Sequence, residues 1–183
     1  MPIPSLCGAT AAMLKVVGAI LVLCAGALIG LHMSHQYASR PRQIRQLIQA
    51  LQRLETEISY GATPLAEAFH SIARQAAGPV AVLLGAAAEE LQSESADTRG
   101  ALERSAERCW GRTALRPAER EIWLHLGSIL GVSDRDDQIR HLRLAMSQLK
   151  SEEDAAQEDQ RRYASMWRSL GLLGGALVAI LLY

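Results

Sequence analysis

Cysteine is scarce in this chain, and where it sits excludes more than it suggests. Only three occur, Cys7, Cys24 and Cys109, far apart and with no C-x-x-C pair. A zinc ribbon, a thioredoxin-like centre and a disulfide framework all lack their residues, and the three read as small apolar fillers. A surplus of positive charge is missing too, since 19 Lys and Arg balance 19 Asp and Glu. A nucleic-acid binder needs a basic excess to neutralise phosphates, so no nucleic-acid partner is expected. Aromatic residues make up only 4% of the chain, while Ala, Leu, Arg, Glu and Gln are abundant. Such side chains lose little freedom in a helix, and no segment alternates as a half-buried strand would. With 183 residues there is room for one domain plus anchors,.

Signatures of catalysis are also absent. The chain contains no H-E-x-x-H, no Gly-x-x-x-x-Gly-Lys-Ser/Thr phosphate loop and no G-x-S-x-G elbow,. Of its five histidines, His32 and His35 lie one helical turn apart at the edge of an apolar run, with no carboxylate or thiolate beside them, and His70 stands alone. His125 and His141 can meet across successive helices, although core or surface roles are commoner for such residues. Glu89-Glu90 and Glu152-Glu153-Asp154 are adjacent carboxylates. Helical neighbours diverge by about 100°, so these runs are expected to be solvated faces. No catalytic, cofactor or metal residue is assigned, and the chain is not expected to be an enzyme.

What is present is a sharp segregation of charge. No Asp, Glu, Lys or Arg occurs from Val16 to Ser39 or from Ser169 to Tyr183, and all charge except Lys15 lies between. Residues 13–36 form one expected transmembrane helix, of which Val16–Leu31 is the apolar part; residues 166–183 form a second. A signal peptide is the rival for the first, but no good cleavage site follows it, and bulky Leu23 before Cys24 argues against a lipoprotein site. Residues 1–12, with Pro2 and Pro4, read as an unstructured or non-native leader, with Met13 as an alternative start. Arg40, Arg42 and Arg45 follow the first apolar run, and Arg161, Arg162 and Arg168 precede the second. The positive-inside rule then puts residues 37–165 in the cytoplasm. Gly26 with Gly30, and Gly171 with Gly175, form Gly-x-x-x-Gly pairs, strips on which a second membrane helix can pack closely.

The polar middle has helical periodicity throughout. Ile44, Leu47, Ile48, Leu51, Leu54 and Ile58 recur at three and four residues over Pro41–Tyr60,. Gly61 stops that helix, Thr63 is placed to cap the next and Pro64 to open it, ahead of Leu65, Ala68, Phe69 and Ile72. Gly78-Pro79 starts a third helix, with Val82, Leu83, Ala86, Ala87 and Leu91 inward. Thr98 is expected to cap a fourth bearing Leu102, Ala106, Cys109 and Trp110. After the interruption at Gly111, Pro117 opens a fifth with Ile122, Trp123, Leu126, Ile129 and Leu130, closed by Gly131. Ser133–Asp136 looks like a capping box for a sixth carrying Ile139, Leu142, Met146 and Leu149. Beyond Lys150 the run is polar and is expected to continue as helix. The fold class is all-α, a six-helix bundle flanked by two transmembrane helices.

Several stretches together resemble the stage III sporulation protein AB family. These are Met13-Leu-Lys, Ser39-Arg-Pro-Arg-Gln-Ile-Arg-Gln-Leu, Glu55-Thr-Glu-Ile-Ser-Tyr-Gly-Ala-Thr-Pro-Leu, Gly127-Ser-Ile-Leu-Gly-Val-Ser-Asp and Met166-Trp-Arg-Ser-Leu-Gly, in order across Met13–Tyr183. The turn residues of this likeness are Gly61, Thr63, Pro64, Leu65, Gly127 and Gly131. That family in turn looks related to the inner-membrane platform protein of type II secretion and type IV pilus machines. A platform protein has two such helical domains, so this chain resembles half of one and is expected to homo-oligomerise. The resemblance implies a scaffold subunit of a sporulation channel in the mother-cell membrane around the forespore. Its partners would be the lipid bilayer, a secretion-type cytoplasmic ATPase and ring-forming membrane proteins. The rival from another class is a membrane-bound sensor or regulator that binds a ligand or signalling protein.

Overall fold

A computed structural model describes residues 39–60, 63–93 and 97–182, by backbone alone at 164–165 and 167–182. The expected leader at 1–12 and first span at 13–36, with Gly26, Gly30, Cys7, Cys24, His32 and His35, lie outside the described residues, as does Gly61. The chain divides into two compact units. One is Ala38–Glu158, and the other takes in Asp159–Tyr183.

Among the described residues there are six α-helices and no strand. Helix α1 runs through residues 39–60 and buries Ile44, Leu47, Leu51 and Leu54, the stripe expected from their spacing. Helix α2, Leu65–Gln75, buries Ala68, Phe69 and Ile72. Its start differs from expectation by one residue: Pro64 is the N-cap and no side chain caps the helix. Thr63 instead donates its hydroxyl to Glu57 Oε2 at 3.2 Å. Gly78, at φ +64°, lets the chain turn into α3, Gly78–Leu91, a left-handed conformation that costs glycine little.

Helix α3 packs against both α2 and α4, so its buried face is broad and is centred on Val80, Leu83, Leu84 and Ala87. Val82, expected inside, shares the outward side with Glu89 and is half exposed. Helix α4, Thr98–Cys109, is capped by Asp97, whose carboxylate accepts from Gly100 N at 3.1 Å, and Thr98 is its first residue and not its cap. Ala101, Leu102, Ser105, Ala106 and Cys109 are buried. Cys109 is a free thiol in the core, as a filler should be. A 3₁₀ turn, Trp110–Arg112, ends the helix.

Helix α5 spans Pro117–Gly127, beginning at the expected proline and ending four residues before Gly131. Its Trp123 joins three elements: the indole N–H donates to Leu102 O of α4 at 3.1 Å, and the ring meets Phe69 of α2 edge-on at 6.0 Å. At Gly127 α4 and α5 approach closely, since a Cβ there would lie 3.2 Å from both Arg99 Cα and Leu102 Cβ. Gly131, at φ +84°, turns the chain toward α6. Asp134 caps α6 by accepting from Asp137 N at 2.7 Å, in place of the expected Ser133 box. Ser133 donates instead to Ile129 O at 3.0 Å.

Helix α6 runs unbroken over Arg135–Leu182, through the polar run and the segment expected to form the second span. Among the described residues no helix is long and apolar enough to cross a membrane. The side chains that gave residues 166–183 their apolar character are mostly outside those described. Within the Ala38–Glu158 unit, α1 and α6 run antiparallel: Arg45 pairs with Glu153 and, further along, Glu55 with Arg143.

Gly131→Ala is expected to lower the melting temperature by several degrees. The left-handed backbone costs roughly 1–2 kcal/mol with a Cβ, and that Cβ would lie 2.6 Å from Thr98 Oγ1. Gly111→Ala, where nothing lies within 4 Å, should leave it unchanged. Thermal unfolding followed by circular dichroism distinguishes the two.

Candidate functional site: a charge clamp and a groove

The first turns of α1 carry polar side chains into the core. Arg40 donates through Nε and Nη2 to Glu119 Oε1, at 3.1 and 2.5 Å, and through Nη2 to Glu152 Oε2 at 2.8 Å. Glu119 is the third residue of α5, is wholly inaccessible, and accepts from Arg116 N at 2.6 Å with its other oxygen. It therefore satisfies the open N-terminus of α5 and neutralises Arg40 together. One turn on, Arg45 donates twice to Glu153 Oε1, at 2.9 and 2.6 Å, while Lys150 donates to Oε2 at 2.9 Å and Gln157 to Oε1 at 2.9 Å. Gln43 accepts from Ala114 N at 2.8 Å, tying the connection between α4 and α5 to the same turn of α1.

The expectation that Glu152-Glu153-Asp154 is solvated is thus overturned at its centre. Glu153 is 2% exposed because it continues the buried stripe of Leu142, Ala145, Leu149 and Ala156 at spacings of three and four. Burial works to raise its pKa, but the hydrogen bonds from Lys150 and Arg45, with their charges, outweigh burial and hold it below the ordinary carboxylate value,. Glu90 likewise bonds Arg104 and Arg108 of α4, at 2.6 and 3.0 Å. These pairs lie at the surface, where such contacts contribute little.

At the other end of α1 lies an open groove of about 280 Å³, lined by Glu57, Ile58, Thr63, Leu65, Ala68, Gly131, Arg135 and Gln138. It brings Thr63 and Leu65 together with Gly131, residues of two turns far apart in the chain. Pro64 is exposed between the first two. Gly127 is not part of the groove and serves the helix crossing described above. Two large apolar side chains stand exposed next to groove residues in the chain, Tyr60 at 91% and Val132 at 80%. Periodicity marks neither, because each follows the end of its buried stripe.

His125 and His141 do meet, with ring centres 5.9 Å apart. His141 Nε2 lies 3.9 Å from Asp137, and its Nδ1 is buried without a hydrogen-bond partner. Among the described residues no group of three or more His, Cys, Asp or Glu is placed to hold a metal ion.

The fold and these features define a class first: a helical bundle whose buried charges are committed to internal pairing. Residues 15–183 match the family model for stage III sporulation protein AB, and the chain belongs to that family. It is 41% identical over 170 residues to stage III sporulation protein AB of Bacillus subtilis (strain 168), a match covering 93% of this chain and 99% of that protein. A solved structure of stage III sporulation protein AB is similar with a TM-score of 0.65 at 41% identity, covering 68% of this chain and 98% of the solved one.

Removing one partner of a buried ion pair strands the other charge, at a cost of about 3–5 kcal/mol. Glu119→Ala leaves Arg40 with only the partly exposed Glu152 and should therefore lose about 3 kcal/mol in urea unfolding. Arg40→Met combined with Glu119→Leu should recover much of it, since the one carboxylate that then loses its partner, Glu152, is a third exposed and can be hydrated.

Acid unfolding should report Glu153. Its folded pKa is depressed below 4.5, so its contribution is fully present above that value and is lost as pH falls through the folded value. Glu153→Gln should be less stable than the parent at pH 7, with a shallower decline in stability below pH 4.5 on acid titration.

Proposed function

We propose that the chain is a membrane-anchored platform subunit of a sporulation channel, with its helical domain in the mother-cell cytoplasm. It would dock a secretion-type ATPase to ring-forming membrane proteins. Family membership supports the sporulation role. The charge-free runs at both ends support the anchoring, and the Gly26/Gly30 and Gly171/Gly175 strips offer packing faces for homo-oligomers or membrane partners.

The observation that carries the docking role is the open groove, with Tyr60 and Val132 exposed close to its residues in the chain. Arg40 stands where the chain enters the domain, and Ile58 lies 18 residues along the same helix, a rise of about 27 Å at 1.5 Å per residue. In an anchored domain the groove is then at the end remote from the entry point, within reach of a soluble partner. Exposed large apolar side chains are what a protein partner buries. Nucleotide hydrolysis would belong to that partner.

Full-length protein purified in detergent from sporulating cells should carry the ATPase with it. Tyr60→Asp with Val132→Asp should reduce that recovery at least tenfold without changing the melting temperature. Recovery of soluble signalling proteins alone would sink the platform reading and favour a sensor. The size of the purified particle tests the glycine strips, since Gly26→Leu with Gly175→Leu should make it smaller.

A further inference from the structure

We propose that the groove at the far end of α1 receives a protein segment carrying an apolar side chain between an acidic and a basic one, the acid seated on Arg135 and the base on Glu57. The inference rests on the docking reading above and names the chemistry of the partner.

Two opposite charges stand unused in this groove. Its lining holds one cation, Arg135 at the start of α6, and one carboxylate, Glu57 of α1. Arg135 is exposed and Glu57 half-buried, and neither makes an ion pair among the described residues. The acidic groups that follow the groove into α6 are occupied: Asp134 accepts from Asp137 N at 2.7 Å, and Asp137 pairs with Arg140. The remaining polar side chains of the lining serve the domain itself, since Gln138 donates to Ser133 O at 2.8 Å and Thr63 to Glu57 Oε2 at 3.2 Å. The second oxygen of Glu57 and the Arg135 guanidinium are left to a partner.

Helix register keeps these two from neutralising each other. Arg45 and Glu55 lie ten residues apart on α1, and their partners Glu153 and Arg143 lie ten apart on α6. The two helices therefore hold a constant antiparallel register between those pairs. Continued beyond the second pair, it sets Glu57 level with His141 and not with Arg135. The six residues between those positions on α6 rise about 9 Å. The ladder of ion pairs ends here, with its last cation and carboxylate staggered along the groove.

The same groove is lined by Ile58, Leu65 and Ala68. Ala68 is buried, and Ile58 and Leu65 are partly exposed while packing against the core, so this apolar floor is fixed in place. A volume of about 280 Å³ is at the bottom of the range for pockets that enclose a drug-sized ligand, roughly 300–1,000 Å³. An open groove of that size suits an apolar side chain or two presented on a protein surface. Arg135 gives a carboxylate paired N–H donors, and Glu57 accepts from a cation. A segment lying the wrong way round would set like charges together, so the pair fixes its direction as well as its chemistry.

The test uses full-length protein purified in detergent from sporulating cells, with recovery of the co-purifying ATPase as the readout. Arg135→Glu and Glu57→Lys should each lower that recovery at least about tenfold, the worth of one hydrogen bond to a charged group. The melting temperature should not change, since neither charge holds an ion pair in the domain. Glu57→Arg combined with Arg135→Glu keeps the net charge but reverses the arrangement, and should recover no more ATPase than either single variant. Arg74→Glu, exposed on α2 and not part of the lining, should leave recovery intact. Full recovery by the single variants, or recovery restored by the exchange, overturns the proposal. If Tyr60→Asp with Val132→Asp still abolishes recovery in that case, the docking reading stands without it. Absence of the ATPase from the unsubstituted protein overturns both.

Discussion

Arg40 and Glu119 face each other with the carboxylate wholly buried and the guanidinium nearly so, and much of the domain is arranged around keeping them together. A buried guanidinium without its carboxylate, or the reverse, costs several kcal/mol, because the lost hydration is not replaced. The first turn of α1 must therefore stay against the first turn of α5. Glu119 also accepts the Arg116 amide at 2.6 Å, so the same carboxylate fixes where α5 begins. Glu152 shares Arg40, and Glu153 binds Arg45 one turn on, which sets the position of α6 along α1. An apolar core tolerates sliding better than such a network does. Here the ion pairs specify the register of helices that the core merely holds together.

That arrangement divides the unit into two ends with different character. Near the clamp the chain enters at Ala38 and leaves at Glu158, and carboxylates are turned inward. At the far end of α1 two turns meet around an open groove, with exposed apolar side chains beside it in the chain.

The helices were largely legible in the sequence, and the errors are instructive. Ile44, Leu47, Leu51 and Leu54 announced α1, and Pro117 announced the start of α5, because periodicity and proline geometry act within one or two turns. Caps were misplaced by a single residue at Pro64, Asp97 and Asp134. At Asp97 and Asp134 two neighbouring residues had the chemistry to cap the helix start and only the backbone path chose between them, while α2 starts with no side-chain cap at all. Val82 was misread because α3 has two neighbours, and a helix packed on both sides loses the one-sided stripe that periodicity detects. The groove was half legible: its turn residues stood out by resemblance, while their meeting, and the exposure of Tyr60 and Val132 beside them, did not.

By itself the sequence determined that this protein is helical, that its charge lies between two apolar ends, and that no familiar catalytic motif is present. All three follow from composition and from spacings of a few residues. Tertiary structure alone decided which charged residues are solvated. Glu153 and Asp154 are adjacent and chemically alike, yet one is nearly inaccessible and the other lies at the surface. The difference is that Glu153 meets Arg45, 108 residues away, and Glu119 meets Arg40, 79 residues away. A carboxylate can be buried only where a cation waits for it, and over such separations the folded chain, not the local pattern, brings the two together.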